Sequence, residues 1–455
     1  MSGRVNLDQQ GMPDYQPPKD ILEVLGKIEF EEALEPDDPR RVDTIEARSS
    51  QETLRRLARK LGLDLETGRF YPAPQKHVLF FGHVGAGKTT ELKFYAAHLD
   101  KTGFFLPAEV DVPGVLDRNN LQYADLLMAM ANALLEALEK QNISLPGKDI
   151  KALHDWFAEK IVTRQEVQEF SAEIQNTLEA GVTIPLLAKL LTKFSTAFKA
   201  NATYKDELRR VIRNSFTQLA DAFNQLIRGA EAALAKKRQK DPVRVLFIVD
   251  GTDKLREEDR RRLFVEDTQL LLAVHALAVY TAPIALKYEG GLVGQLDADL
   301  VLPMVKLQDQ DGNRCEAGWR AMREIVLKRA DRSLFDTDAD IDRLVENSGG
   351  HPRELLRLLQ LCCEFAEQQI DAGVVKQAIG QLASEYRRPL EPDDYQRLVR
   401  IDRTPMDVGN DEKIRRLLYL LALLEYNDGT WRRSHPVIRS LEGYRRAMTA
   451  LRAEP

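Results

Sequence analysis

His77 to Thr90 reads HVLFFGHVGAGKTT, an apolar run that breaks into a glycine-rich turn and ends in Lys-Thr-Thr. Gly82, Gly87, Lys88 and Thr89 satisfy the pattern G-x-x-x-x-G-K-[ST], with His83, Val84, Gly85 and Ala86 between the glycines and Thr90 after. The apolar residues Val78–Phe81 before it read as a strand, and ELKFYAAHL after it reads as a helix, which is the setting this pattern requires. Glycines allow successive backbone N–H groups to turn inward around a phosphate chain, and the following helix points its positive end at the same anion. Residues 82–90 are therefore expected to hold the phosphates of a nucleotide. Lys88 is expected on the β- and γ-phosphates and the Thr89 hydroxyl on Mg²⁺.

Working outward, a second decisive stretch is VRVLFIVDGTDK, Val243 to Lys254. A continuous apolar run of this kind suits a parallel strand buried on both faces. Asp250 stands at its C-terminal end, where open α/β sheets place ligands, and is expected to hold Mg²⁺ opposite Thr89. Asp253 is the candidate to orient or deprotonate an attacking water. Further strands are expected at Gly103–Val112, Leu277–Ile284 and Leu300–Leu307.

The 455-residue chain has room for about three domains. Its 44% hydrophobic and 30% charged content fits a folded soluble protein, and its net charge of −6 argues against coating nucleic acid by bulk charge. No apolar run approaches the ~20 residues that cross a bilayer. The N-terminal residues lack a secretory layout, and three cysteines make no disulfide framework, so a cytoplasmic location is expected.

An arm is expected over 1–48, beginning extended and becoming structured near Ile21. The core is expected over 49–310, with an amphipathic helix at Ser49–Leu61 and a large helical insertion at about 120–240. Within that insertion Leu186, Leu187, Leu190, Leu191, Phe194 and Phe198 share one face, read as packing against neighbouring helices. The insertion is a candidate surface for a protein partner or self-association. A helical lid follows over 311–399. From 400 to 455 a helix, the turn Asn427–Trp431 and a further helix suggest a winged-helix-like module. Its arginines, Arg415, Arg416, Arg432, Arg433, Arg445 and Arg446, give it a basic lean that suits DNA.

Three stretches together, GHVGAGKT, DGTD and the later GGHPRELLRLL, resemble the AAA+ branch of P-loop ATPases that includes STAND and NACHT signalling ATPases and origin-recognition initiators. The resemblance spans roughly Lys76 to Leu359. It implies a P-loop α/β sheet with a lid, ATP and Mg²⁺ as cofactors, and slow hydrolysis used as a conformational switch, in bacterial defence or signalling. NACHT-like ATPases carry a small residue after the magnesium aspartate and an acidic one two positions on, which Gly251 and Asp253 match. Conventional AAA+ enzymes carry Glu where Gly251 stands, which leaves Asp253 for hydrolysis. The resemblance further implies that Thr281 senses the γ-phosphate and that Arg353, after Gly350-His351-Pro352, is a second sensor. Where an arginine finger is often found the chain offers only Lys287, so a ring with fingers in trans is not expected. The alternatives are a DNA-associated ATPase of initiator or transposition-regulator type, and a nucleotide-dependent scaffold with little hydrolysis.

Overall fold

The computed structural model describes residues 15–116, 121–145, 147–160, 209–292, 294, 296–406 and 409–453. The expected leucine-rich face at 186–198 lies outside them.

Five parallel strands form the central sheet: β1 (Lys76–Gly82), β2 (Phe105–Asp111), β3 (Arg244–Asp250), β4 (Leu277–Pro283) and β5 (Asp297–Val301). Their spatial order is β2-β3-β4-β1-β5. Side chains alternate between faces along a strand. Val78 and Phe80 of β1, with Leu246, Ile248, Leu277 and Val279, face a layer that includes Leu57, Leu92 and Tyr95. Leu79 and Phe81, with Phe247, Val249 and Tyr280, face a second layer that includes Leu134 and Phe223. The helices Gln51–Lys60 and Lys88–Lys101 supply the first layer, and Tyr123–Lys140 and Phe216–Arg238 supply the second. Covering on both faces explains why β1, β3 and β4 read as unbroken apolar runs.

This is a P-loop α/β fold with a helical insertion, a helical lid and a winged-helix-like module. The edge strand differs from expectation: β5 lies at Asp297–Val301, not Leu300–Leu307. Leu302 still donates to Phe81 O at 2.8 Å, but Pro303 has no N–H to continue the ladder. The chain then leaves the sheet, and the Lys306 N–H donates to Ala47 O in the N-terminal segment.

The lid comprises helices Glu316–Leu327, Asp338–Ser348, Pro352–Phe365 and Ala372–Arg387. A capping box of Thr337 and Asp340 starts the second, and Gly349 ends it in the left-handed conformation. The C-terminal module holds helices Pro392–Arg403, Glu412–Tyr419 and Glu442–Ala453 around an antiparallel hairpin, β6 (Leu423–Tyr426) and β7 (Trp431–Ser434). Among the described residues no helix is long and apolar enough to cross a membrane.

Candidate functional site

β1 and β3 end side by side with only β4 between them, so topology brings the glycine turn and Asp250 to one edge of the sheet. Gly85 and Gly87 adopt φ of 85° and 91°, the left-handed region the turn demands. The helix Lys88–Lys101 starts at once and aims its N-terminus into the turn.

Thr89 Oγ1 donates to Asp250, lying 3.0 and 2.9 Å from the two carboxylate oxygens. Burial and the neighbouring Asp253 push the Asp250 pKa up. A hydroxyl and a carboxylate side by side form a hard oxygen donor set, which fits Mg²⁺. Lys88 Nζ lies 2.6 Å from Asp253 Oδ2, with both side chains buried, and also donates to Gly82 O and His83 O. Burial by itself would raise the Asp253 pKa, but the Lys88 ammonium holds it below the ordinary carboxylate value.

Gly251 carries the departure from the AAA+ glutamate, and its reason is steric. Its φ is 82°, and a Cβ there would come within 2.2 Å of Pro113 Cδ. A side chain there would have to displace the Pro113 ring. Thr281 is fully buried on β4 and fastens that turn: its Oγ1 accepts from the Gly251 N–H at 2.9 Å and lies 3.5 Å from Asp253 Oδ1. The Thr252 hydroxyl donates to Thr281 O.

Three distant segments grip the glycine turn. His351 Nε2 meets Val84 O at 3.0 Å, while its Nδ1 accepts from the Glu354 N–H. Arg48, fully buried, donates to Ala86 O and to Pro303 O, both at 2.7 Å. The Glu425 N–H of β6 donates to His83 Nε2 at 2.8 Å. Ala86 packs in a small apolar cluster with Met304, Leu424, Tyr426 and Trp431. Burial pushes the His83 and His435 pKa values down to about 3 and that of His351 well below its usual value. His435 stacks on Tyr386 at 4.7 Å.

Arg353 extends over Gly85: a Cβ on that glycine would fall 2.7 Å from Arg353 Nε. Lys88, Thr89, Asp253 and Arg353 line one cleft of about 120 Å³ together with Val42 and Leu356. The helix Gln51–Lys60 stands elsewhere, fastened to the edge strand by ion pairs of Arg56 and Lys60 with Asp299 and Asp297. Lys287 pairs with Asp428 of the C-terminal hairpin.

Arg432 corrects the expected basic surface. It is buried in an ion pair with Glu425 at 2.8 Å, which Tyr288 reinforces by donating to Glu425. Arg416 is bound to Asp394. Exposed arginines of the module include Arg445 and Arg446, the latter paired with Glu442.

Arg48, Glu31 and Lys254 line or brace the cleft without having been marked by the sequence. No local pattern surrounds Arg48 or Glu31, whereas Lys254 could have been found, since it directly follows Asp253.

No protein-family model matches the chain, and no curated protein matches it. Solved structures that are similar include the Aeropyrum pernix Orc1 protein in complex with DNA (14% identity, 91% of this chain and 94% of that one, TM-score 0.36). Others are Cdc6p from Pyrobaculum aerophilum (13%, 92% and 83%, TM-score 0.35) and a Walker-type ATPase of Pyrococcus abyssi (13%, 93% and 100%, TM-score 0.37).

Proposed function

We propose that this chain is an ATP-binding and hydrolysing molecular switch of the AAA+/STAND-like kind. One observation carries the reading: Lys88, Thr89, Asp250 and Asp253 converge at the ends of β1 and β3, with a lid arginine laid across the same glycine turn. Inward-facing loop amides and the helix N-terminus receive phosphate oxygens. Thr89 and Asp250 hold Mg²⁺, which when bound supplies positive charge to the phosphate oxygens. Lys88 exchanges Asp253 for phosphate, and the freed Asp253 carboxylate accepts a proton from, or orients, the attacking water. Thr281 keeps the Asp253 turn in register, and Arg353 carries the nucleotide state to the lid. The grip of lid and C-terminal module on Val84 and His83 gives the phosphate site a mechanical outlet.

The direct test is ATP turnover with and without DNA, with particle mass measured in each nucleotide state. Turnover lost in Lys88→Ala supports the reading, and normal binding and hydrolysis by that variant would sink it. Stimulation by DNA would instead favour an initiator-like role. A second reading, a nucleotide-dependent scaffold with little hydrolysis, is favoured by the mutual engagement of Lys88 and Asp253 in a buried pair. For such a scaffold, Asp253→Asn leaves turnover at the wild-type level.

A further inference from the structure

The sequence FEEALEPDDPR, Phe30 to Arg40, is acidic and contains two prolines, and nothing in the proposed chemistry uses it. It nevertheless borders the phosphate cleft, which Glu31, Glu32 and Leu34 line. Its place is set by the helix that follows the glycine turn: the Leu34 N–H donates to Thr90 Oγ1 at 3.2 Å, and Glu35 pairs with Lys93. Glu31 then reaches the cleft mouth. Its Oε1 lies 3.4 Å from Arg353 Nη2 and its Oε2 3.5 Å from Lys254 Nζ.

Two cations sharing one carboxylate define a seat for an anion. Lys254 adjoins Asp253, which touches Lys88, and Arg353 lies against Gly85, so the seat belongs to the phosphate end of the cleft. Arg353 Nε is buried with no hydrogen-bond partner, a donor left over by the Glu31 contact. Such a donor is costly unless some other acceptor reaches it. The Glu31 contacts are long for ion pairs, and its side chain is 51% exposed, so the carboxylate is loosely held. A phosphate oxygen carries more charge and more acceptor sites than one carboxylate and makes stronger charge-assisted bonds to both cations.

We propose that Glu31 is an internal stand-in for the terminal phosphate. Lys254 and Arg353 form the seat for that phosphate, and the triphosphate displaces Glu31 and loosens the part of the acidic strap 29–38 around it, the rest staying held at Leu34 and Glu35, whereas a diphosphate leaves Glu31 seated. Lys254 thereby supplies a cation in cis to the phosphate end of the cleft. The inference rests on the nucleotide-binding reading above.

The test uses the full chain and measures equilibrium binding of β,γ-imido-ATP and of ADP to the wild type, Glu31→Gln and Lys254→Met. Expected are triphosphate binding about fivefold tighter in Glu31→Gln and about fivefold weaker in Lys254→Met, the size of a partly exposed ion pair, with ADP binding unchanged in both. Hydrogen exchange over residues 29–38 is expected to rise with β,γ-imido-ATP and not with ADP. A Glu31→Gln variant with unshifted or weaker triphosphate binding overturns the stand-in role, as does a strap whose exchange ignores the triphosphate. A wild type that binds both nucleotides while Glu31→Gln shows no preference overturns this inference alone. A wild type that binds neither overturns the nucleotide reading as well.

Discussion

The floor and the mouth of the phosphate cleft are built on opposite principles. At the floor, Val84 O and Ala86 O are each held by a buried side chain from another part of the chain, His351 and Arg48, and His83 accepts from β6. At the mouth, Glu31, Lys254 and Arg353 meet through long, partly exposed ion pairs. Buried donors and acceptors are costly to strand, so the floor is fixed. Exposed pairs are exchangeable at little cost, so the mouth can answer to a ligand. On the proposed reading, the difference separates what would position a phosphate from what would detect it.

The strongest way to break that contrast is to attack the support of the floor. Arg432→Met leaves Glu425 buried without its cation, and loss of one partner from a buried pair costs about 3–5 kcal/mol. Denaturant melts should show that loss, and Glu425→Gln/Arg432→Met should recover much of it. Next comes Asp253, paired with Lys88 beside the floor. Asp253→Asn is expected to lower ATP turnover by about 10²–10³-fold while nucleotide binding persists, a loss typical of removing a positioned acid or base. Steady-state turnover and equilibrium binding on the same preparation separate the two effects. An unchanged rate would make the floor a binding surface only and remove the chemical half of the contrast.

How far the site was legible in the sequence follows the same division. The glycine turn, Asp250 and the hairpin at Asn427–Trp431 were readable because each is set by neighbours within a dozen residues: φ demands, an apolar strand, a tight turn. Gly251 was visible as a departure, but the ring of Pro113 that crowds it comes from the short helix Val112–Val115 after β2, more than a hundred residues earlier in the chain. Arg48 and Glu31 left no trace, since their roles exist only once residues more than thirty positions away are folded against them. Arg432 misled although Glu425 stands directly across the hairpin from it, because an arginine there reads as surface charge until the distant Tyr288 encloses the pair. The edge strand was misplaced because Leu302–Leu307 is apolar enough for a strand, yet Pro303 interrupts the ladder.

A smaller effect tests the grip on Val84. His351→Ala removes two hydrogen bonds, the contact with the partly buried Val84 O and the cap on the buried Glu354 N–H, a loss of about 1–3 kcal/mol. The discriminating readout is nucleotide affinity set beside the thermal midpoint. If the clamp only stabilises the fold, the midpoint falls and ATP affinity at low temperature is unchanged. If it presets the glycine turn, both fall together.

The smallest effect is distributed over pH. His77 and His83, at about 4 and about 3, have folded pKa values depressed by burial, and His435, at about 3, belongs with them. A histidine whose folded pKa lies below its unfolded value of about 6.5 binds more protons when unfolded, so it contributes no pH-dependent loss above ~6.5 and destabilises as pH falls below it. Each such residue lowers stability by at most about 1.4 kcal/mol per pH unit over the window from about 6.5 down to the folded value. Chemical denaturation at pH 7.5, 6.5 and 5.5 should therefore be flat over the first interval and fall over the second. Replacing His435 by Gln should reduce the slope in the second interval, because that histidine has neither ring nitrogen hydrogen-bonded and sits where the lid meets the module. The mouth contains no histidine among Glu31, Lys254 and Arg353, so at one fixed pH, where the charge of the terminal phosphate is constant, His435→Gln and the wild type should show the same triphosphate preference. A preference that fell in step with stability would mean that the mouth depends on the rigidity of the floor and does not answer to ligand independently.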